Sequence, residues 1–305
     1  MDGLDRLVHA IAPTGSVELQ CRFAGDWSLE HPAARTNHLP YHVILGGHAE
    51  LEMDGKRVAL QKGDVLLFPY GDAHILRSAP DDAGHRSPAG RETRKQNGRV
   101  TLVERTGDGE LLDMLCGEFV LSGATDALWT GLPKVLHLRT GRSDALPGLI
   151  QLLRDEAAEP KPGGGAVVQM ITGAMFALIL RGMTEGGHLQ LGILGLLTQP
   201  GMAHVVEAVL KDPAHAWTLQ NLADVAHTSR ASFARHFAET AGVTPMDWVN
   251  GVRLAVAAQS LRAGKLSAGR AAEIAGYASE AAFARAFKAR YGNSPAAYGR
   301  MHSTG

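Results

Sequence analysis

The sequence predicts an α+β protein: an N-terminal β-barrel with accessory helices, then an all-α domain made of two tandem copies of a helix-turn-helix module. Three observations carry that prediction. From about Gly15 to Phe119, short β-branched or alternating runs are separated by Gly-rich turns, the pattern of a barrel or jelly roll. From Met202 onward the apolar spacing is helical throughout. Within Ala216–Arg300 one passage occurs twice: Ser229, Phe233, Arg235, Phe237 and Pro245 are matched 50 positions later by Ser279, Phe283, Arg285, Phe287 and Pro295. Two copies are too few for a solenoid, so they read as a duplicated small module.

Length and composition agree with two globular domains. The chain has 305 residues, 45% hydrophobic and 20% charged, enough to bury a core in each half. The start, Met1-Asp2-Gly3-Leu4-Asp5, lacks the basic and apolar regions of a signal peptide. The most apolar stretch, Ala166–Leu180, is about 15 residues long and ends at Arg181, short for a membrane span. A cytoplasmic protein without a membrane partner is expected. Its two cysteines, Cys21 and Cys116, are too few for a disulfide framework and start as thiols in a reducing cytosol. Charge is unevenly divided: from Gly201 onward there are 11 Lys and Arg against 7 Asp and Glu, and before it 19 against 24. The basic excess fits an anionic partner at the C-terminal end.

In the first half, Tyr41–Leu45 is a strand ending in Gly46-Gly47. Ala49–Met53 and Arg57–Leu60 form a hairpin around Asp54-Gly55. The run Gly63-Asp-Val-Leu-Leu-Phe-Pro69-Tyr-Gly71-Asp-Ala-His74 resembles the second signature motif of the cupin superfamily, which implies a small β-barrel with a pocket. Ala79–Glu110, rich in Gly, Pro and charge, is expected to be a long, mostly mobile loop around a short Val100–Val103 run. Leu111–Leu121 returns as a strand carrying Cys116.

Helices follow at Ala145–Ala158 and, after the breaker Pro160-Lys161-Pro162, at Gly165–Met183. The second is apolar nearly all round and needs cover on several sides, so a homodimer through it is plausible. His188–Pro200 reads as a short apolar helix and linker. The division expected is a sensor domain over 1–185, a linker over 186–201 and a helical domain over 202–301. In the latter, helices are expected at Ala203–Leu210, Leu219–Ala226, Ser229–Thr240, Met246–Ala263, Lys265–Ala275 and Ser279–Arg290, with Thr218, Ser229 and Ser279 at their starts.

A helix, a short turn and a second helix is the arrangement whose second helix enters the major groove of DNA. The Phe pairs at i and i+4 face each module's core, which leaves Arg230, Ala231, Ala234 and Arg235 in one copy and Glu280, Ala281, Ala284 and Arg285 in the other to meet double-stranded DNA. Arginine suits guanine edges or phosphates, and glutamate accepts from cytosine. Helix amides capped by Ser229 and Ser279 suit phosphates. The tandem modules, the run Gly276–Lys288 and the ending Gly292-x-x-Pro295-x-x-Tyr298 resemble the AraC/XylS family of transcription regulators over about Met202–Arg300. The resemblance implies the same eight base-facing positions, with RNA polymerase as a further partner. The alanines depart from the larger polar residues often found there, which shifts weight to shape readout and phosphate contacts.

The N-terminal half resembles a subgroup of that family, the redox-sensing activators of reactive chlorine resistance, through Met1–Leu7, Cys21 with Asp26-Trp27, the cupin run and Cys116-Gly117. The resemblance implies Cys21 as the primary sensing thiol and Cys116 as the second cysteine; the longer Ala79–Glu110 segment is a departure. Oxidants convert a thiolate to a sulfenyl species that a second thiol captures. Arg22 adjoins Cys21 but points to the opposite face of a strand. The alternative for both cysteines is inert packing. No cofactor is required on this reading. A rival is a divalent metal in the barrel at His42 and His74, with His38, Glu50 and Glu52 as helpers lacking the usual spacing. Zinc or iron sites need three or four convergent ligands. A small organic effector is a further alternative, and a cupin metalloenzyme fits least.

Overall fold

The computed structural model describes residues 3–11, 13–35, 37–79, 90–121, 132–139, 145–159, 161–185, 192–262 and 267–302. The chain divides into two compact units, Pro13–Val120 with Pro133–Met183, and the remainder.

The first unit carries strands β1 (Thr14–Phe23), β2 (Ser28–His31), β3 (His38–Gly46), β4 (His48–Met53), β5 (Lys56–Gln61), β6 (Asp64–Leu67), β7 (His74–Ser78), β8 (Glu92–Asn97), β9 (Val100–Arg105), β10 (Leu112–Val120) and β11 (Leu136–Arg139). They form a seven-stranded sheet in the order β11-β6-β3-β10-β1-β9-β8 and a four-stranded sheet in the order β2-β7-β4-β5. All pairings are antiparallel except β1 with β9. Alternate residues point inward, and Cys21, Phe23, Trp27, Ile44, Leu51, Leu66, Phe68, Met114 and Cys116 pack into one core.

The Gly63–His74 run shows why its residue types are needed. Gly71 sits at φ +66°, and a Cβ there would lie 2.8 Å from the Ala34 side chain and 3.0 Å from the His38 carbonyl. The carboxylate of the buried Asp64 accepts from the Gln61 amide at 3.0 Å. The turn therefore delivers β7, and His74 at its start, to the barrel interior.

Ala79–Glu110 corrects the sequence reading. Residues 80–89 lie outside the described residues, but the rest is not a mobile loop: β8 and β9 form a hairpin turned at Gly98-Arg99. The turn is anchored, since the Arg99 amide donates to the Ala157 carbonyl at 2.9 Å. β8 lies at the sheet edge, and its exposed Thr93-Arg94-Lys95-Gln96 carries no apolar alternation. Charged edges of this kind discourage pairing with other chains.

Two helices complete this unit, α2 (Ala145–Ala158) and α3 (Gly164–Glu185); Pro160 lies outside the described residues. α3 is long and apolar enough by composition to cross a membrane. It instead packs on the barrel, with Thr172 under Gly15 and Phe176 edge-on to Phe119 at 5.0 Å. Asp113 of β10 joins Arg154 of α2 at 3.1 Å and accepts from Gln20 at 3.0 Å.

The second unit contains α1 (Gly3–Ile11), α4 (Gly192–Leu197), α5 (Pro200–Lys211), α6 (Leu219–Val225), α7 (Arg230–Ala241), α8 (Pro245–Arg262), α9 (Ala268–Ile274), α10 (Glu280–Tyr291) and α11 (Pro295–His302). α1 packs against α5. Residues 186–191 of the expected linker lie outside the description. So do 263–266, where a helix was expected from Lys265; it begins at Ala268 after the N-cap Ser267. Phe233, Phe237 and Trp248 build the core of one module. Phe283, Phe287 and Tyr298, with Leu254, Leu261 and Ala272, build the other.

Candidate functional site

The duplicated modules present matching surfaces. Each second helix starts at a serine whose hydroxyl accepts a backbone amide: Ser229 from Ser232 at 3.3 Å and Ser279 from Ala282 at 3.2 Å. Each ends at a left-handed glycine, Gly242 or Gly292. The four phenylalanines are fully buried. The opposite face of α7 leaves Arg230, Ala231 and Arg235 exposed with Ala234 half-buried; α10 leaves Glu280, Ala281 and Arg285 exposed with Ala284 half-buried. Positions i, i+1, i+4 and i+5 lie on one helix face. Each module thus holds a rigid helix with an arginine at the same point of an open face. The connecting turns use a left-handed residue at the same place, His227 at φ 54° and Gly276 at φ 69°.

In the barrel, the structure brings together Cys21, Cys116, His42 and His74, and adds His31. Cys116 of β10 is directly opposite His42 of β3 in the seven-stranded sheet. His31 of β2 is directly opposite His74 of β7 in the four-stranded sheet. The two cross-strand pairs converge from opposite walls: His42 Nε2 and His74 Nε2 are 2.8 Å apart, and the His31 ring lies 4.5 Å from that of His42 and stacks on that of His74 at 4.8 Å. Phe68 stacks on the other side of His74 at 3.7 Å.

The cysteine pair is adjacent but diagonal. β1 pairs Cys21 with Met114, and β10 pairs Cys116 with Leu19. Both thiols are buried in the same core, and interaction with the Cys21 side chain, then burial, pushes the Cys116 thiol well above its ordinary value. Cys116 therefore keeps its proton. Arg22 points away and pairs with Glu104 at 3.4 Å.

Burial also acts on the imidazoles. Desolvation, then the charge of His74, lowers His31 to about 4. Desolvation lowers His42 well below 6.5 and lowers His74 too, against an opposing hydrogen bond to Asp72. All three rings are neutral at pH 7, and a neutral imidazole offers one lone-pair nitrogen.

The model of a cupin family matches residues 2–185, and that of a helix-turn-helix domain matches residues 222–301. "RCS-specific HTH-type transcriptional activator RclR" of Escherichia coli is 31% identical over 303 residues, 98% of this chain and 97% of that protein. "HTH-type transcriptional regulator MtrA" of Neisseria gonorrhoeae is 30% identical over 305 residues, 98% of each chain. The chain belongs to the AraC/XylS family of transcription regulators.

An AraC/XylS regulator with this architecture binds DNA through its helix-turn-helix domain and is not an enzyme. Its cupin barrel differs from the sequence reading in which residues gather inside. His38 sits at the rim, bonded to Glu118 at 2.9 Å. Glu52 pairs with Arg57 and Arg77 at 3.0 and 2.8 Å. Glu50 and Glu52 alternate with the core residues Ala49 and Leu51 and so lie on the other face of β4. None of the three joins the histidine cluster. His31 was missed, since nothing in its spacing ties it to His42 or His74. The available signal was that Ser28–His31 ends a strand length after Trp27.

Proposed function

We propose that this AraC/XylS regulator is a cytoplasmic activator switched by reactive chlorine or related oxidants at Cys21 and Cys116. The observation that carries the reading is the pair of buried, free thiols placed diagonally on paired strands of the barrel core. Full-length similarity to an activator named as RCS-specific supports it. In the proposed step, hypochlorous acid chlorinates the Cys21 sulfur and water leaves. The Cys116 sulfur then displaces chloride, releasing a proton, so two thiols become one disulfide and the oxidant is reduced to chloride.

The switch has a mechanical consequence. Diagonal neighbours on paired strands have Cα atoms about 7–8 Å apart, whereas a disulfide takes about 4.4–6.8 Å. β1 and β10 are already paired, so closing the bond shears or twists the ladder locally in the strands that line the core. Cys21 is 0% and Cys116 4% exposed, so an oxidant reaches them through transient opening of the barrel.

The reading assigns Arg230, Ala231, Ala234, Arg235, Glu280, Ala281, Ala284 and Arg285 to the DNA face and Ser229 and Ser279 to its phosphate-facing helix ends. RNA polymerase is the partner on the promoter. A homodimer would use α3, whose Val167, Met170 and Ala174 form an exposed stripe. A reporter assay tests the switch: Cys21→Ser should abolish induction by hypochlorous acid, and a variant that responds normally would rule the thiol mechanism out.

A further inference from the structure

The barrel interior holds a donor set that the thiol switch uses only in part, through Cys116. His31, His42 and Cys116 can each offer one donor atom such that all three lie within 4.8 Å of one another. They come from β2, β3 and β10, so both sheets contribute. One ring nitrogen of each histidine, His31 Nε2 and His42 Nδ1, is buried and has no hydrogen-bond partner.

The hydrogen bonds around His74 explain why the His42 nitrogen is bare. The Asp72 carbonyl, 2.9 Å from His74 Nδ1, can only accept, so that nitrogen carries the proton. His74 Nε2 then accepts from His42 Nε2 at 2.8 Å, which leaves His42 Nδ1 with a lone pair. One ring nitrogen donating to a fixed acceptor and the other bare is how metal-ligating histidines are held.

We propose that His31, His42 and Cys116 bind a thiophilic transition-metal ion inside the barrel, with His74 positioning His42. Metal–nitrogen bonds of about 2.0–2.1 Å and metal–sulfur bonds of about 2.3 Å place donors roughly 3.5–3.8 Å apart, so the widest separation closes by about 1 Å on binding. The ion takes the place of the Cys116 thiol proton, which leaves to solvent; no oxidation state changes. With one thiolate and two neutral imidazoles, copper(I) makes an uncharged buried complex, while zinc(II) leaves a positive charge in an apolar core. No carboxylate belongs to the set among the described residues, which disfavours calcium and magnesium. The site shares Cys116 with the proposed oxidant switch, and in that respect rests on it, but it is independent of Cys21.

The test uses the full-length reduced protein under anaerobic conditions. Copper(I) is presented in competition with a chromophoric copper(I) chelator, and zinc(II) with a zinc indicator in a second arm. One equivalent of ion per chain should be withdrawn, and its binding should raise the melting temperature. His31→Gln, His42→Ala and Cys116→Ser should each weaken uptake by about tenfold or more, and Cys21→Ser should retain it. His74→Leu should lose about 10–100-fold, with His74→Gln, which keeps an acceptor for His42, restoring most of it. Melting curves of the metal-free variants identify any that fail to fold. Wild-type protein that withdraws neither ion, or His31→Gln that binds as tightly as wild type, overturns the site. Zinc bound with copper refused overturns the charge argument. Since Cys21→Ser should lose the oxidant response but keep the metal, failure of one reading is distinguishable from failure of the other.

Discussion

Cys21 and Cys116 are buried in one core although neither residue faces the other across the β1–β10 ladder. Their burial and the proton held on Cys116 give a protected pair. In the native reduced protein, alkylation of both cysteines should be at least about tenfold slower than in the unfolded chain. After hypochlorous acid, peptide mapping without reductant should recover Cys21 and Cys116 in one cross-linked product. Sulfonic acid at Cys21 with no cross-link would show that Cys116 is not the resolving thiol.

Arg235 and Arg285 occupy equivalent, exposed points of α7 and α10. Each changed to alanine should weaken binding to a promoter fragment by about 1–3 kcal/mol if it reaches a base. Ala231 and Ala281 changed to Ser should have smaller effects. Titrations by fluorescence anisotropy measure this, and unchanged binding in both arginine variants would move the recognition face elsewhere.

Gly117 lies between β1 and β3 beside Cys116, and a Cβ there would stand 2.1 Å from the Ser16 carbonyl and 2.6 Å from the Tyr41 hydroxyl. That hydroxyl already donates to the Ser16 carbonyl at 2.9 Å. Gly117→Ala should destabilise the barrel by about 1–3 kcal/mol in chemical unfolding. Gly46→Ala, whose Cβ would meet nothing nearer than 3.9 Å, is the matched control and should be much milder.

His227 adopts the left-handed conformation at the turn position that Gly276 fills in the second module. A side chain costs free energy there and glycine does not. His227→Gly should raise the stability of the helical unit by about 0.5–1 kcal/mol, read as an upward shift of its melting temperature. A decrease would mean that the His227 side chain makes a contact worth more than the strain.

The repeat made the helical unit legible in detail. Phe at i and i+4, a serine before and a glycine after specify a short helix with one buried face, and α7 and α10 begin and end within a residue or two of the expected positions. Cys21, Cys116, His42 and His74 were legible as residues but not as one cluster. Their proximity depends on which strands pair and on two sheets facing each other, and one-dimensional spacing carries neither. His31 escaped for that reason. β8 escaped for another: Thr93–Gln96 is an exposed edge with no core face to impose alternation. Its Gly98, the first residue of the Gly98-Arg99 turn at φ 61°, was the signal that it belongs to a hairpin.

The most direct test of the central claim is binding of the full-length protein to a promoter fragment it selects from genomic DNA, measured reduced, after hypochlorous acid, and with Cys21→Ser as control. The account predicts that oxidation changes the affinity or footprint of the wild-type protein, that reductant reverses the change, and that Cys21→Ser behaves like reduced protein throughout. Identical binding by reduced and oxidised wild type, or an equal change in Cys21→Ser, would contradict it.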